Sequence, residues 1–380
     1  MNKKEILEIR KQFTPENSTI TRIATCYVDG EKNRIIQSVD AFHSLPEEEA
    51  FKYYELFKKT LSGTLGKNLI NMDFPLEEEL EGGHHHALMK LRESALKNEE
   101  EINAFFDSII EHYNYGENYL IILIHANYDI PGKSSDGLEM FDASDQVYEY
   151  MLCSICPVKL SKPGLGYNHD TNRIEERIRD WIVEVPAKGF LFPAFHDRQT
   201  DLHSVLYYSK NPEEIQPAFV ENLLGSHPPL SARSQSETFQ TVISETLGTD
   251  CDIEIVKNIH DTINEKIEEN KENPEPLVFS QQDVKQLLVE SGVPDDKLEQ
   301  FDLTYEQYVG EREALVAGNI TNTSKFSIES PDVIIKINPA RTDLIETRIV
   351  DGRQCLVITM SDHIEVNGIP IQFQHSEEQE

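Results

Sequence analysis

A chain of 380 residues with 38% hydrophobic side chains can bury two or three cores, which excludes a wholly disordered protein. Its longest clean apolar run, Leu120-Ile121-Ile122-Leu123-Ile124, falls far short of the roughly 20 residues that span a bilayer, so no membrane partner is expected. The formal net charge of −33 is unevenly spread: the first 35 residues carry seven Lys or Arg against five Asp or Glu, whereas Glu245 to Glu313 carries nineteen acids against six bases and would repel a phosphate backbone.

Along the chain, Ile6, Ile9 and Phe13 share a helical face over residues 5–13 before Pro15, and Ile20 to Ile36 reads as two strands around Asp29-Gly30. Ser44-Leu45-Pro46-Glu47 combines a capping box with proline at the first helical position, and Ala50, Tyr54, Phe57 and Leu61 continue the stripe. Helices fit residues 86–97 and 99–112. Tyr119 to Ile124 and Tyr148 to Val158 read as strands, the first apolar throughout and so central in a sheet. Trp181 to Val183, Gly189 to Phe192 and Ser204 to Tyr208 are short apolar pieces between turns, the pattern of an antiparallel meander.

Gly225-Ser226-His227-Pro228-Pro229 interrupts both periodicities and reads as a linker, which predicts an N-terminal α+β domain over 1–225. A helical block follows. Ser234 with Glu237 forms a second capping box; Ile253, Val256, Ile259, Ile263 and Ile267 make a stripe; Ser280 caps a helix bearing Val284, Leu287 and Leu288; Leu298, Phe301, Tyr305 and Tyr308 define another. From Lys325 the period becomes alternating, with a turn at Asp351-Gly352, and predicts a small antiparallel sheet attached to those helices. The second domain is thus 230–372, and 373–380 is a polar tail. The fold class is α+β: an N-terminal mixed or antiparallel sheet with helices, then the helical block, then the C-terminal sheet.

Five scattered cysteines argue for reduced thiols. Cys153 and Cys156 form a CxxC pair, but on a strand a spacing of three places them on opposite faces, as core thiols that cannot share one metal. Gly63-Thr64-Leu65-Gly66-Lys67-Asn68 lacks the spacing and the Ser or Thr of a phosphate loop. Gly82-Gly83-His84-His85-His86 reads as a solvated loop. The densest chemical cluster is His196, Asp197, Asp201 and His203, two imidazoles and two carboxylates between strands; it reads first as an ordinary hairpin loop, with a metal site for a hydrolase as the alternative. Arg173, Arg177 and Arg179 open a second basic region, interrupted by Glu175, Glu176 and Asp180, and are the candidate phosphate contacts. No hydroxyl, imidazole and carboxylate triad can be assembled from spacing alone.

Met1-Asn2-Lys3-Lys4-Glu5-Ile6, Cys26-Tyr27-Val28-Asp29-Gly30-Glu31-Lys32, Leu61 to Asn68, Leu152 to Pro157 and Ile334-Ile335-Lys336-Ile337-Asn338-Pro339 together resemble the bacterial family called domain of unknown function 4317, over nearly the whole chain. That resemblance implies a cytoplasmic bacterial protein and brings no activity with it. The landmarks Leu223-Leu224-Gly225, Ser231-Ala232, Lys325-Phe326, Arg348-Ile349, Leu356-Val357-Ile358 and Gly368-Ile369-Pro370 fall in the order seen in the bacterial nucleoid-associated protein family, without that family's closing helix. The resulting expectation is a non-enzymatic cytoplasmic protein binding nucleic acid or a nucleoid partner through restricted basic surfaces. No cofactor is expected and the oligomeric state is open. The alternatives are the metal-dependent hydrolase and an acidic protein-interaction scaffold.

Overall fold

The computed structural model describes residues 1–133, 139–140, 146–248, 251–310, 313–359, 364–366 and 368–371. The polar tail expected over 373–380 lies outside them, as do residues 249, 250, 311 and 312 of the acidic stretch. Contacts divide the chain into two compact units, Met1–Ser234 with Asn273–Pro276, and Gln235–Glu272 with the chain from Leu277 onward.

The first unit opens with α1 (Lys3–Arg10), β1 (Ile20–Val28), β2 (Arg34–Ala41), α2 (Glu47–Thr60), β3 (Leu69–Asp73), α3 (His84–Glu93), α4 (Glu99–His112) and β4 (Tyr119–Ile130). It continues with the short pair β5 (Gly132–Lys133) and β6 (Glu139–Met140), then β7 (Gln146–Leu160), β8 (Leu165–Asn168), β9 (Arg173–Glu176), β10 (Trp181–Val183) and β11 (Lys188–Phe192). β12 (Ala194–His196), β13 (Gln199–Asp201), β14 (Ser204–Ser209) and α5 (Pro217–Leu224) follow. The main sheet has the order β2-β1-β4-β7-β11-β14-β3, every neighbouring pair antiparallel, with β10 on the far end of β7.

Alternation along the two longest strands explains why helices cover both faces. Ile121 and Leu123 of β4 join a core with Leu88, Phe106 and Phe219 of α3, α4 and α5, while Ile122, Ile124 and Ala126 join a second core with Ile9 and Phe57 of α1 and α2. Each such phenylalanine contributes about 1.5–3 kcal/mol by leaving water. Cys153 faces the first core and Cys156 the second, both buried free thiols, and burial pushes both thiols well above their ordinary range. Gly189 is required where α2 meets the sheet: a Cβ there would stand 2.4 Å from the Cys153 carbonyl oxygen and 2.6 Å from Thr60 Cγ2. Beside it the Thr60 and Ser154 hydroxyls pair at 2.6 Å, satisfying two buried polar groups at once.

Local signals differ from the sequence reading in instructive ways. α1 stops at Arg10, although Phe13 is still fully buried. The Ser44 capping box does not form: Pro46 is the N-cap, and Ser44 Oγ donates to the Ala41 carbonyl of the preceding 3-10 turn. Residues 82–86 are not a solvated loop, because α3 starts at His84 and buries His85, whose Nε2 lies 2.9 Å from the Leu202 carbonyl. The first hairpin turn runs from Asp29 to Asn33, with Asp29 Oδ1 accepting from the Glu31 and Asn33 amides and Lys32 taking the left-handed conformation. The Gly63–Asn68 segment is a turn held by Asn68, whose side-chain amide donates to the Ser209 and Lys210 carbonyls.

α6 (Ala232–Leu247) starts earlier than its expected cap: Ser231 Oγ accepts from the Ser234 amide, so Ser231 and not Ser234 precedes the helix. The second unit continues with α7 (Ile253–Glu269), β15 (Val278–Phe279), α8 (Gln281–Glu290), α9 (Asp295–Leu298), α10 (Phe301–Tyr308), β16 (Leu315–Val316) and α11 (Ala317–Ile320). Ser280 and Asp283 form the expected capping box of α8, and Phe301 and Tyr305 are buried, whereas Tyr308 is 39% exposed. Gln235 Oε1 accepts from the Val316 amide and from Asn319 Nδ2, fixing α6 to the β15–β16 ladder.

The alternating C-terminal segment forms three separate antiparallel hairpins: β17 (Phe326–Glu329) with β18 (Ile334–Ile337), β19 (Ile345–Val350) with β20 (Arg353–Ile358), and β21 (Ile364–Val366) with β22 (Ile369–Ile371). Among the described residues no strand of one hairpin pairs with another, and a 3-10 segment over Pro339–Leu344 separates the first two. Thr342 Oγ1 of that segment donates to Asp261 Oδ2 of α7 at 2.7 Å, which ties the strands to the helical block.

Candidate functional site

Past Pro157 the β7 strand leaves its partners β4 and β11 and becomes half of a two-stranded ribbon. Val158, Lys159 and Leu160 pair with Val183, Ile182 and Trp181; the Ser161 amide donates to the Asp180 carbonyl, the Arg177 amide to the Gly164 carbonyl, and β8 pairs with β9 from Leu165↔Glu176 to Asn168↔Arg173. Left-handed Asn172 closes the tip, where its Oδ1 accepts from Tyr167 at 2.6 Å. Among the described residues no further strand pairs with β8, β9 or the outer edge of β10.

All three arginines expected to contact phosphate sit on this ribbon and are exposed. In β9 the pleat sets Arg173 and Glu175 on one face and Ile174 and Glu176 on the other. Arg177 lies beneath Gly166, on the Arg173 side, and Arg179 Nε donates to the Ser161 carbonyl at 2.7 Å, stitching the base of the ribbon. The other face is apolar and uncovered: Leu165 is 78% exposed, Tyr167 52% and Ile174 66%. Ile178 at 80% and Trp181 at 55% extend the exposed apolar surface toward the sheet.

The four residues of the expected metal cluster are not brought together. His196 and Asp197 lie at the tip of the β12–β13 hairpin, with Nε2 and Oδ2 3.7 Å apart, whereas His203 Nδ1 turns to Glu79 Oε1 at 2.6 Å. Asp201 is spent locally, accepting from the His203 amide and the Ser204 hydroxyl. The bond to Glu79 raises the His203 pKa. Among the described residues no three His, Cys, Asp or Glu side chains are grouped to hold a metal ion.

A network that spacing could not reveal lies under α3. A β-bulge between Ile20 and Arg22 turns the Thr21 hydroxyl toward His125 Nδ1, 2.7 Å away, and His125 Nε2 meets Glu149 Oε1 at 2.9 Å. Arg92 of α3 closes the set, with Nε donating to the Glu149 carbonyl at 2.8 Å and a guanidinium nitrogen 3.4 Å from its carboxylate. Burial lowers the His125 pKa; the Glu149 hydrogen bond and charge oppose this, and Arg92 and Lys97 add to it. The order hydroxyl, imidazole, carboxylate is that of a nucleophile with its base. The imidazole is 1% exposed, and the network fastens β1, β4, β7 and α3 to one another. Its sequence signal is the single histidine interrupting the apolar run 120–126.

Lys188 is another buried ionisable group, 2% exposed, with Nζ donating to Ser209 Oγ at 2.7 Å and to the Glu214 carbonyl. Burial lowers its pKa to about 8, against a partial pull upward from Glu214. The folded value lies below the unfolded one, so the protonated amine opposes folding at pH 7, and stability rises as pH climbs from about 8 toward 10.5. Lys188→Met keeps the stem and leaves Ser209 bonded to the Asn211 carbonyl. It is expected to raise unfolding free energy at pH 7 by about 1–3 kcal/mol and to abolish that alkaline rise, as urea titrations at pH 7 and 10 would show. A destabilised variant would mean the amine's hydrogen bonds outweigh its desolvation.

No helix among the described residues is long and apolar enough to cross a membrane. Comparison with curated proteins and with solved structures finds no match for either. The family model described as Domain of unknown function (DUF4317) matches residues 1–369, and the chain therefore belongs to that family.

Proposed function

We propose that the chain is a non-enzymatic protein-binding module and that the ribbon over residues 161–183 is its docking surface. The observation that carries this reading is the run of large apolar side chains, Leu165, Tyr167, Ile174, Ile178, Trp181, Ile182 and Val183, each 41–80% exposed. Scattered exposed leucines are ordinary, but Leu165, Tyr167 and Ile174 share one face of the ribbon, and large apolar side chains gathered in this way have the character of a protein interface core. A two-stranded ribbon is marginal in water until its faces are covered.

Charge separates this reading from nucleic-acid binding by Arg173, Arg177 and Arg179. Residues 159–184 hold five Lys or Arg and five Asp or Glu, so a phosphate backbone would meet as many carboxylates as cations. The resemblance to nucleoid-associated proteins rests on the sequence landmarks alone. The test is a photo-crosslinking residue in place of Tyr167, with one in place of Leu76 as an exposed control, in cells that make the chain naturally. Discrete protein adducts from position 167 and none from 76 are expected. Nucleic-acid adducts, or no adduct from either position, would overturn the proposal.

A further inference from the structure

We propose that the occupant of the ribbon is a second copy of this chain, the two ribbons packing on each other about a twofold axis; this rests on the docking reading above. The first argument is electrostatic. Two copies of a chain with net charge −33 repel one another wherever acid dominates. Residues 159–184 are balanced at five charges of each sign, so the ribbon is a surface on which two acidic copies repel one another least. An isologous contact sets each patch against its own copy, so a patch near neutrality carries only a small like-charge penalty there.

The second argument is area. The exposed fractions of Leu165, Tyr167, Ile174 and Ile178, at roughly 150–250 Å² for a large side chain, leave on the order of 500 Å² of apolar surface per copy, about the apolar share of the roughly 800 Å² per partner of a standard interface. Placing ribbon on ribbon covers the apolar face of each with the apolar face of the other.

The two forces respond to salt in opposite senses. Added salt screens the repulsion between the acidic remainders and leaves the apolar contact intact, so association should tighten between about 50 and 500 mM salt. Binding to phosphates would loosen over the same range.

Sedimentation equilibrium of the purified full-length chain tests this, with emission from Trp181, the chain's single tryptophan, as a local reporter. The expected mass is twice 43.6 kDa, with the dissociation constant falling several-fold at the higher salt and the emission shifting to the blue as dimer forms. Ile174→Ser/Ile178→Ser, neutral changes at exposed positions, should weaken the dimer by about tenfold or more while leaving circular dichroism unchanged. A monomer at every salt concentration, a dimer indifferent to the double variant, or a dimer loosened by salt would each overturn the proposal. Crosslinks from position 167 to residues 326–371 of the same chain would overturn it too, by showing that the chain covers its own ribbon. If the purified chain is monomeric while position 167 still captures another protein in cells, the second copy is wrong and the docking reading stands.

Discussion

Phe106→Ala is expected to lower the unfolding free energy by about 3–5 kcal/mol, a large share of the stability of any domain. Phe106 lies on the inner side of α4 with no exposed surface, in the core that also holds Leu123 of β4, Met151 and Cys153 of β7 and Phe190 of β11. Truncation removes the transfer energy of the ring and leaves a void that strands paired on both sides cannot close, because β4 and β7 are each fixed by a neighbour on either edge. Leu76→Ala is the matched control. Leu76 is 77% exposed, and its truncation should change stability by no more than about 0.5 kcal/mol. Urea titrations followed by far-ultraviolet circular dichroism give both numbers; a loss below about 1 kcal/mol at Phe106 would mean that α4 does not seal this core.

Why the sheet was legible while the ribbon's role was not follows from what periodicity reports. The apolar run of β4 demands cover on both faces, and the odd spacing of Cys153 and Cys156 demands opposite faces; both are local consequences of the pleat and both appear in the fold. The turn at Asp351-Gly352 was likewise readable, since both residues take left-handed conformations in a two-residue hairpin loop. Trp181-Ile182-Val183 has the same apolar signature as a core strand, yet is 41–55% exposed, because sequence does not say whether a strand's far edge and faces find a partner within the chain. The arginines and their interruption by Glu175 and Glu176 are plain in the sequence, but the face each occupies follows only from the register of β8 and β9. The Thr21, His125 and Glu149 network joins residues 104 and 24 positions apart, through a bulge that no sequence pattern announces.

That network carries the second large effect. Glu149→Ala is expected to cost about 2–4 kcal/mol at pH 7.5, since it leaves the His125 N–H without an acceptor in a site only 1% exposed and deprives Arg92 of its carboxylate. The pH dependence identifies the group responsible. Burial holds the folded-state pKa of His125 below its ordinary value, so below about pH 6.5 the unfolded chain binds a proton that the folded chain refuses. The stability contributed by the neutral imidazole is therefore present above that pH and is lost as pH falls toward the depressed folded value, by at most about 1.4 kcal/mol per pH unit for one proton. His260, also lowered by burial, adds a loss of the same sign and sets the background against which His125 is read. His125→Gln keeps a donor and an acceptor but cannot titrate, so the stability gap between wild type and this variant should narrow between pH 7.5 and 5.5. In Glu149→Ala the gap to wild type should not narrow in this way, because removing the carboxylate takes away the interaction that pulled the imidazole pKa upward. Urea midpoints for the three proteins at the two pH values decide the matter: a gap for His125→Gln that stays constant or widens on acidification would show that the imidazole is protonated in the folded state, and the network would then be an ion pair instead of a neutral hydrogen-bonded tie.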